Sequence, residues 1–67
     1  MAGVRYMDDR HYEYRVLPMV WIWGFRSFRR YHRRRWKVVG QLPLRHTETE
    51  AEEDLARYAE GKGWVRI

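Results

Sequence analysis

The chain reads as a small α+β domain: three antiparallel strands, one C-terminal helix packed on them and a short terminal strand, in the order β-β-β-α-β. Three observations lead there. Apolar residues alternate with a period of two through the first two-thirds of the sequence. In the last third they recur at helical spacing, between helix start and stop signals. Finally, 67 residues without a cysteine leave room for one core and one domain, 1–67, with no disulfide to staple it.

The first strand is expected at "YEYRV" (12–16), where Tyr12, Tyr14 and Val16 alternate with Glu13 and Arg15. Residues 1–11 precede it as a polar segment, expected outside the sheet and free to be flexible. Pro18 separates this strand from "MVWIWGFRSF" (19–28), a β-branched and aromatic run. There Val20 and Ile22 would share one face, and Trp21, Trp23 and Phe25 the other. A turn near "RRYHR" (29–33) should lead into "RWKVVGQL" (35–42), with Trp36, Val38 and Leu42 opposed to Lys37, Val39 and Gln41. A rival reading makes 19–37 a basic amphipathic helix, since Trp21, Phe25, Phe28, His32 and Trp36 also fall at helical spacing. Gly24 and the tryptophan and β-branched cluster at its start favour the strand.

The helix is expected at 48–60. Thr47 with Glu50, or Thr49 with Glu52, supplies a capping box, and Glu50, Glu52, Glu53 and Asp54 suit the positive end of the helix dipole. Ala51, Leu55, Tyr58 and Ala59 form one apolar stripe. Glu53 and Arg57 are spaced to pair. Gly61 or Gly63 can end the helix in the left-handed conformation. "WVRI" (64–67) then alternates as a final strand beside the helix.

Charge is unevenly placed. Residues 1–45 carry eleven Lys/Arg against three acids, a net of +8, while 46–67 carry a net of −3. The basic excess concentrates at "FRSFRRYHRRRWK" (25–37), with Arg26, Arg29, Arg30, Arg33, Arg34, Arg35 and Lys37 and no acid. Six of these seven are arginine, whose planar fork meets phosphate with two donors. Tyr31, His32 and Trp36 lie among them as rings able to stack on bases. The plainer alternative is a solvated hairpin whose charges keep an edge strand from aggregating, partly paired with the acids at 48–54.

Trp21 and Trp23 admit two readings. Facing outward, they form an aromatic contact platform beside Lys37, suited to single-stranded nucleic acid or to self-association. Facing inward, they are the core, packed on Leu55 and Tyr58, which the shortness of the chain favours. Chemistry is poorly supported. His11, His32 and His46 share no metal-ligand spacing, and Asp8, Asp9, His11 and Glu13 fit a solvated turn better than a cation site. Ser27 is the single serine and no phosphate loop is present. No enzyme activity, cofactor or metal is expected.

The stretch "TETEAEEDLARYA" (47–59), following a sheet rich in Arg and Trp, resembles the sheet-plus-helix DNA-binding domains of plant AP2 factors and phage integrase arm-binding domains. That likeness implies a sheet carrying Arg and Trp into the major groove. The terminal "WVRI" departs from the pattern.

The expected function is a non-enzymatic module that binds DNA or RNA through a basic, aromatic hairpin. The alternative is a small basic inhibitor or adaptor, such as a phage-encoded one, docking on an acidic or nucleic-acid-binding surface of a host protein. A homodimer is compatible with either. The N-terminus lacks the apolar stretch of a signal peptide, and "VLPMVWIWGF" is too short to span a bilayer. A soluble, cytoplasmic protein without a membrane partner is expected; surface binding to membranes would need the helical reading of 19–37.

Overall fold

A computed structural model describes residues 3–67. Strands β1 (Arg5–Met7), β2 (Tyr12–Pro18), β3 (Phe25–Tyr31) and β4 (Lys37–Val38) are followed by helix α1 (Glu48–Lys62) and strand β5 (Val65–Arg66). The five strands form one antiparallel sheet in the order β4-β3-β2-β1-β5. The fold is therefore α+β with one helix, but the sheet holds one strand more than the β-β-β-α-β expectation. The extra one is β1. At three residues it is too short to show an alternation, and it is held from both sides by β2 and β5. It falls within the segment 1–11 expected outside the sheet; residues 1–2 of that segment lie outside the described residues.

The β2–β3 hairpin is the spine. Its register runs from Tyr12 opposite Tyr31 to Pro18 opposite Phe25. Directly opposed residues share a face, so Tyr14 and Val16 lie with Ser27 and Arg29, and Glu13 and Arg15 lie with Arg30 and Phe28. Helix α1 covers the first of these faces. The core there comprises Tyr14, Val16, Val39, Leu42, Ala51 and Leu55, flanked by Tyr6, Tyr12, Phe25, Tyr58 and Trp64. Trp64 stacks on Tyr14 at 4.0 Å between ring centres and meets Tyr58 edge-on at 5.3 Å. The other face has no helix over it.

The second strand starts six residues later than expected. Pro18 ends β2, and the Met19 N–H donates to the Gly24 carbonyl at 2.9 Å, closing a loop over residues 19–24. Gly24 sits at φ +145°, and a Cβ there would lie 2.7 Å from the Arg45 carbonyl oxygen. Only glycine fits. Paired hydrogen bonds between Phe25 and Arg45 (2.7 and 2.9 Å) pin the base of the loop to the segment before the helix. Tryptophan and β-branched residues favour strands through the neighbours they pack on, and this loop offers none. The expectation of a core built from Trp21 and Trp23 fails with the strand: both are almost fully exposed, at 93% and 81%. The continuous helix over 19–37 is excluded, because 25–31 is β3.

The third expected strand shrinks from 35–42 to two residues, because Leu42 N–H bonds back to the Val39 carbonyl and turns the chain under the helix. Its facing also inverts at the valines: Val39 is buried, whereas Val38 sits opposite Phe28 on the uncovered face; Leu42 is buried as expected. Helix α1 begins as expected, with Thr47 Oγ1 accepting from Glu50 N–H at 3.2 Å, and runs two residues longer, to Lys62. Gly63, at φ +74°, is the left-handed cap. Arg57 pairs with Asp54 rather than with Glu53.

Candidate functional site

The basic residues gather where β3 passes into β4. His32 at φ +53° and a hydrogen bond from Arg34 N–H to the Tyr31 carbonyl (3.1 Å) form a tight turn, which returns the chain to pair Lys37 with Arg29. Arg33, Arg34 and Arg35 occupy the turn and are exposed, as are Tyr31 and His32. The turn, rather than the expected 29–33, falls at 32–36, so Arg29 and Arg30 belong to the strand and sit on opposite faces of it. Tyr31 packs on Tyr12 at 5.3 Å and meets His32 edge-on at 4.1 Å. Between strand and turn lies a cavity of about 110 Å³, lined by Tyr12, Arg29, Arg30, Tyr31, Arg34, Arg35 and Lys37. Five cations and two phenol rings line it. Among the described residues, no carboxylate does.

The uncovered face of the sheet continues the site. Glu13, although on this face, is only 9% exposed, because Arg5 (3.0 Å) and Arg30 (3.3 Å) close over it. The Trp36 ring lies across the Arg30 guanidinium at 4.4 Å and near that of Arg15 at 6.0 Å. One Arg15 donor, Nε, is buried without a hydrogen-bond partner. Trp36 is thus held on the sheet by cations and is not a free ring at the tip. Arg5, Glu13 and Arg15 did not enter the sequence reading of the site. For Glu13 and Arg15 the signal was the alternation in "YEYRV", which already put them opposite the core-facing tyrosines; Arg5, in the three-residue β1, carried none.

Two expected contact groups lie elsewhere. Arg26, at the far end of β3, donates to the Leu42 carbonyl (3.0 Å) and braces the segment leading to the helix. Trp21 and Trp23 project from the 19–24 loop with Val20 and Ile22, all exposed. β3 separates this loop from the basic turn by about 20 Å. The anticipated platform beside Lys37 is not formed.

Among the described residues, none of the cations from Arg26 to Lys37 pairs with an acid of the helix. Asp54, which is buried, instead takes Arg45 (2.6 Å) and Arg57 (2.7 Å). The alternative of a basic hairpin neutralised by the acids at 48–54 is therefore absent from the structure. Among the described residues, Arg30 alone of the seven cations has a carboxylate partner, Glu13.

The segment Asp8–Glu13 divides between separate tasks. Asp8 accepts from the N–H groups of Arg10 and Tyr12 (both 2.9 Å) and from the Tyr14 hydroxyl (2.8 Å), shaping the β1–β2 turn. Glu13 faces away, toward its arginines. Burial, and secondarily the hydrogen bond and charge of Asp8, push the Tyr14 hydroxyl up to about 12, against an opposing pull from Arg29. The ordinary value of 10.0 holds in the unfolded chain, so the folded state keeps this proton more tightly. Its stabilising contribution is complete below pH 10 and is lost as pH rises through about 12. Urea unfolding across that window should show falling stability, with a shallower fall in Tyr14→Phe. Equal pH slopes in the two proteins would place the proton elsewhere.

Fold and site define a class: a small α+β domain with one open sheet face and a cationic, tyrosine-lined turn at its edge. The chain matches no protein-family model, no curated protein and no solved structure. Among the described residues, no helix is long and apolar enough to cross a membrane.

Proposed function

We propose that the protein is a non-enzymatic nucleic-acid-binding module whose contact surface is the β3–β4 turn together with the adjoining uncovered sheet face. The observation that carries this reading is the gathering around one cavity of Arg29, Arg34, Arg35 and Lys37, none of them paired with an acid among the described residues, beside Arg30, whose guanidinium is held by Glu13. Like charges so arranged repel one another, and an anion relieves that repulsion. Guanidinium forks and the Lys37 ammonium contact phosphates, while Tyr31 and His32, exposed beside them, offer rings on which bases stack. Arg5 and Arg15 extend the positive surface across the sheet.

Affinity purification of the tagged protein, with and without nuclease treatment, tests the reading. Co-purifying nucleic acid that nuclease removes is the expected result. Stoichiometric recovery of one protein that survives nuclease would reject it.

A second reading, docking on a protein, is favoured by the 19–24 loop. Four consecutive large apolar residues, Val20–Trp23, stand exposed on a pinned base, and isolated surface apolar residues are ordinary where such clusters are not. Tryptophan is also a frequent anchor of protein interfaces. Replacing Trp21 and Trp23 by serine should leave the melting temperature within a few degrees, since neither ring packs in the fold. On the second reading the double variant loses the protein partner. On the first it binds nucleic acid as the parent does, because the loop is remote from the basic turn.

A further inference from the structure

The cavity under the basic turn is more specific than a general positive surface. At about 110 Å³ it lies well below the roughly 300 Å³ at which pockets begin to enclose drug-sized ligands. A volume of that order suits one small anionic group better than a whole nucleoside. The cavity's basic residues come from three directions: Arg29 and Arg30 from β3, Arg34 and Arg35 from the turn, and Lys37 from β4. The Arg30 guanidinium is taken by Glu13 and Trp36, which leaves four cations there without an acid partner among the described residues. Tyr12 and Tyr31, in contact with each other, form the remaining wall, and Arg29 is fixed over the Tyr12 ring at 5.2 Å. The pocket is thus partly built before any ligand arrives.

An internal phosphodiester fits this arrangement poorly. It carries a single charge, spends two oxygens on ester bonds, and needs two exits for its chain. A phosphomonoester carries close to two charges at neutral pH and presents three free oxygens to forked donors. It also needs only one exit. The exposed Tyr31 ring stands at the cavity, placed to stack on the nucleotide to which such a phosphate is attached.

We propose that this cavity is a receptor for a phosphomonoester at the end of a nucleic-acid strand, so that the protein recognises phosphorylated ends in preference to strand interiors. The inference rests on the nucleic-acid reading above.

The experiment compares four single strands of one sequence binding to the full chain: hydroxyl-ended, 5′-phosphorylated, 3′-phosphorylated, and hydroxyl-ended but one nucleotide longer. The longer strand controls for one of the nearly two charges that an end phosphate adds, and general attraction alone would turn each charge into roughly 5-fold at about 0.1 M salt. One phosphorylated end is expected to bind more than about 10-fold tighter than that control, since charge-assisted contacts add to the general attraction. The same advantage should vanish in the double variant Arg34→Ala/Arg35→Ala, whose side chains are exposed and whose melting temperature should match the parent's. Which end wins gives the polarity of the bound strand. If all four strands bind alike, the end receptor is overturned while the nucleic-acid reading stands. An advantage retained by the double variant also overturns it, by locating the phosphate elsewhere. If no strand binds, the underlying reading falls and takes this inference with it.

Discussion

Replacing Arg33, Arg34 and Arg35 together by alanine is expected to weaken nucleic-acid binding by about 10²–10³-fold at about 0.1 M salt. The same variant should flatten the plot of log affinity against log salt by about two to three units, because three phosphate neutralisations are lost and fewer counterions are released. All three side chains are exposed, and none forms an ion pair among the described residues. The melting temperature should therefore hold steady or rise slightly as repulsion is relieved. That combination, a large binding loss on an intact fold, separates a contact surface from a solvated edge. Arginines that only guard the sheet edge would give unchanged affinity and a more aggregation-prone variant. An unaltered salt slope removes the turn from the interface.

Legibility of the fold followed pattern length. Helix α1 was readable to within two residues because its cap, acidic first turns, apolar stripe and terminal glycine all agree. β2 was readable because Tyr12, Tyr14 and Val16 alternate over a strand long enough to show it. At Met19–Trp23 residue types that favour strands form a loop instead. Such preference depends on a packing partner, and the geometry of Gly24 and the Phe25–Arg45 bridge leave the loop without one. β5 was readable from the alternation of "WVRI", whereas β1, of three residues, carries no local signature and is held only by its pairing with β2 and β5. Tertiary contact alone decides it.

The site was legible in composition and not in geometry. The seven cations at 26–37 were conspicuous, but their distribution was not. Arg26 became a brace on the Leu42 carbonyl, Arg30 a partner of Glu13, and Trp36 a ring laid over Arg30. Shifting the strand forward moved Tyr31 to its last position and opposite Tyr12, and that shift brought the cavity into being. A run of charges reports that a surface is basic. Register determines which of those charges meet.

Leu55 is where the fold is most exposed to loss. It is 0% exposed and sits in the middle of the helix stripe, packed with Tyr14, Val16, Val39 and Ala51. Truncating a buried leucine to alanine costs about 2–5 kcal/mol, the lost transfer energy plus the cavity left behind. A domain of this size has only about 3–10 kcal/mol of stability in total. Leu55→Ala should therefore lower the melting temperature by more than about 10 °C and leave a large unfolded fraction at room temperature. Leu55→Met, which conserves volume, should cost less than about 1.5 kcal/mol. Circular dichroism melts of the three proteins decide the matter, and near-equal midpoints for the parent and Leu55→Ala would mean that the helix is not what holds the sheet. The consequence reaches the turn. Arg29 and Tyr12 are aligned by β2–β3 pairing, and the core under that hairpin is built on Leu55, so the destabilised variant should lose binding in proportion to its unfolded fraction while keeping every cation of the site.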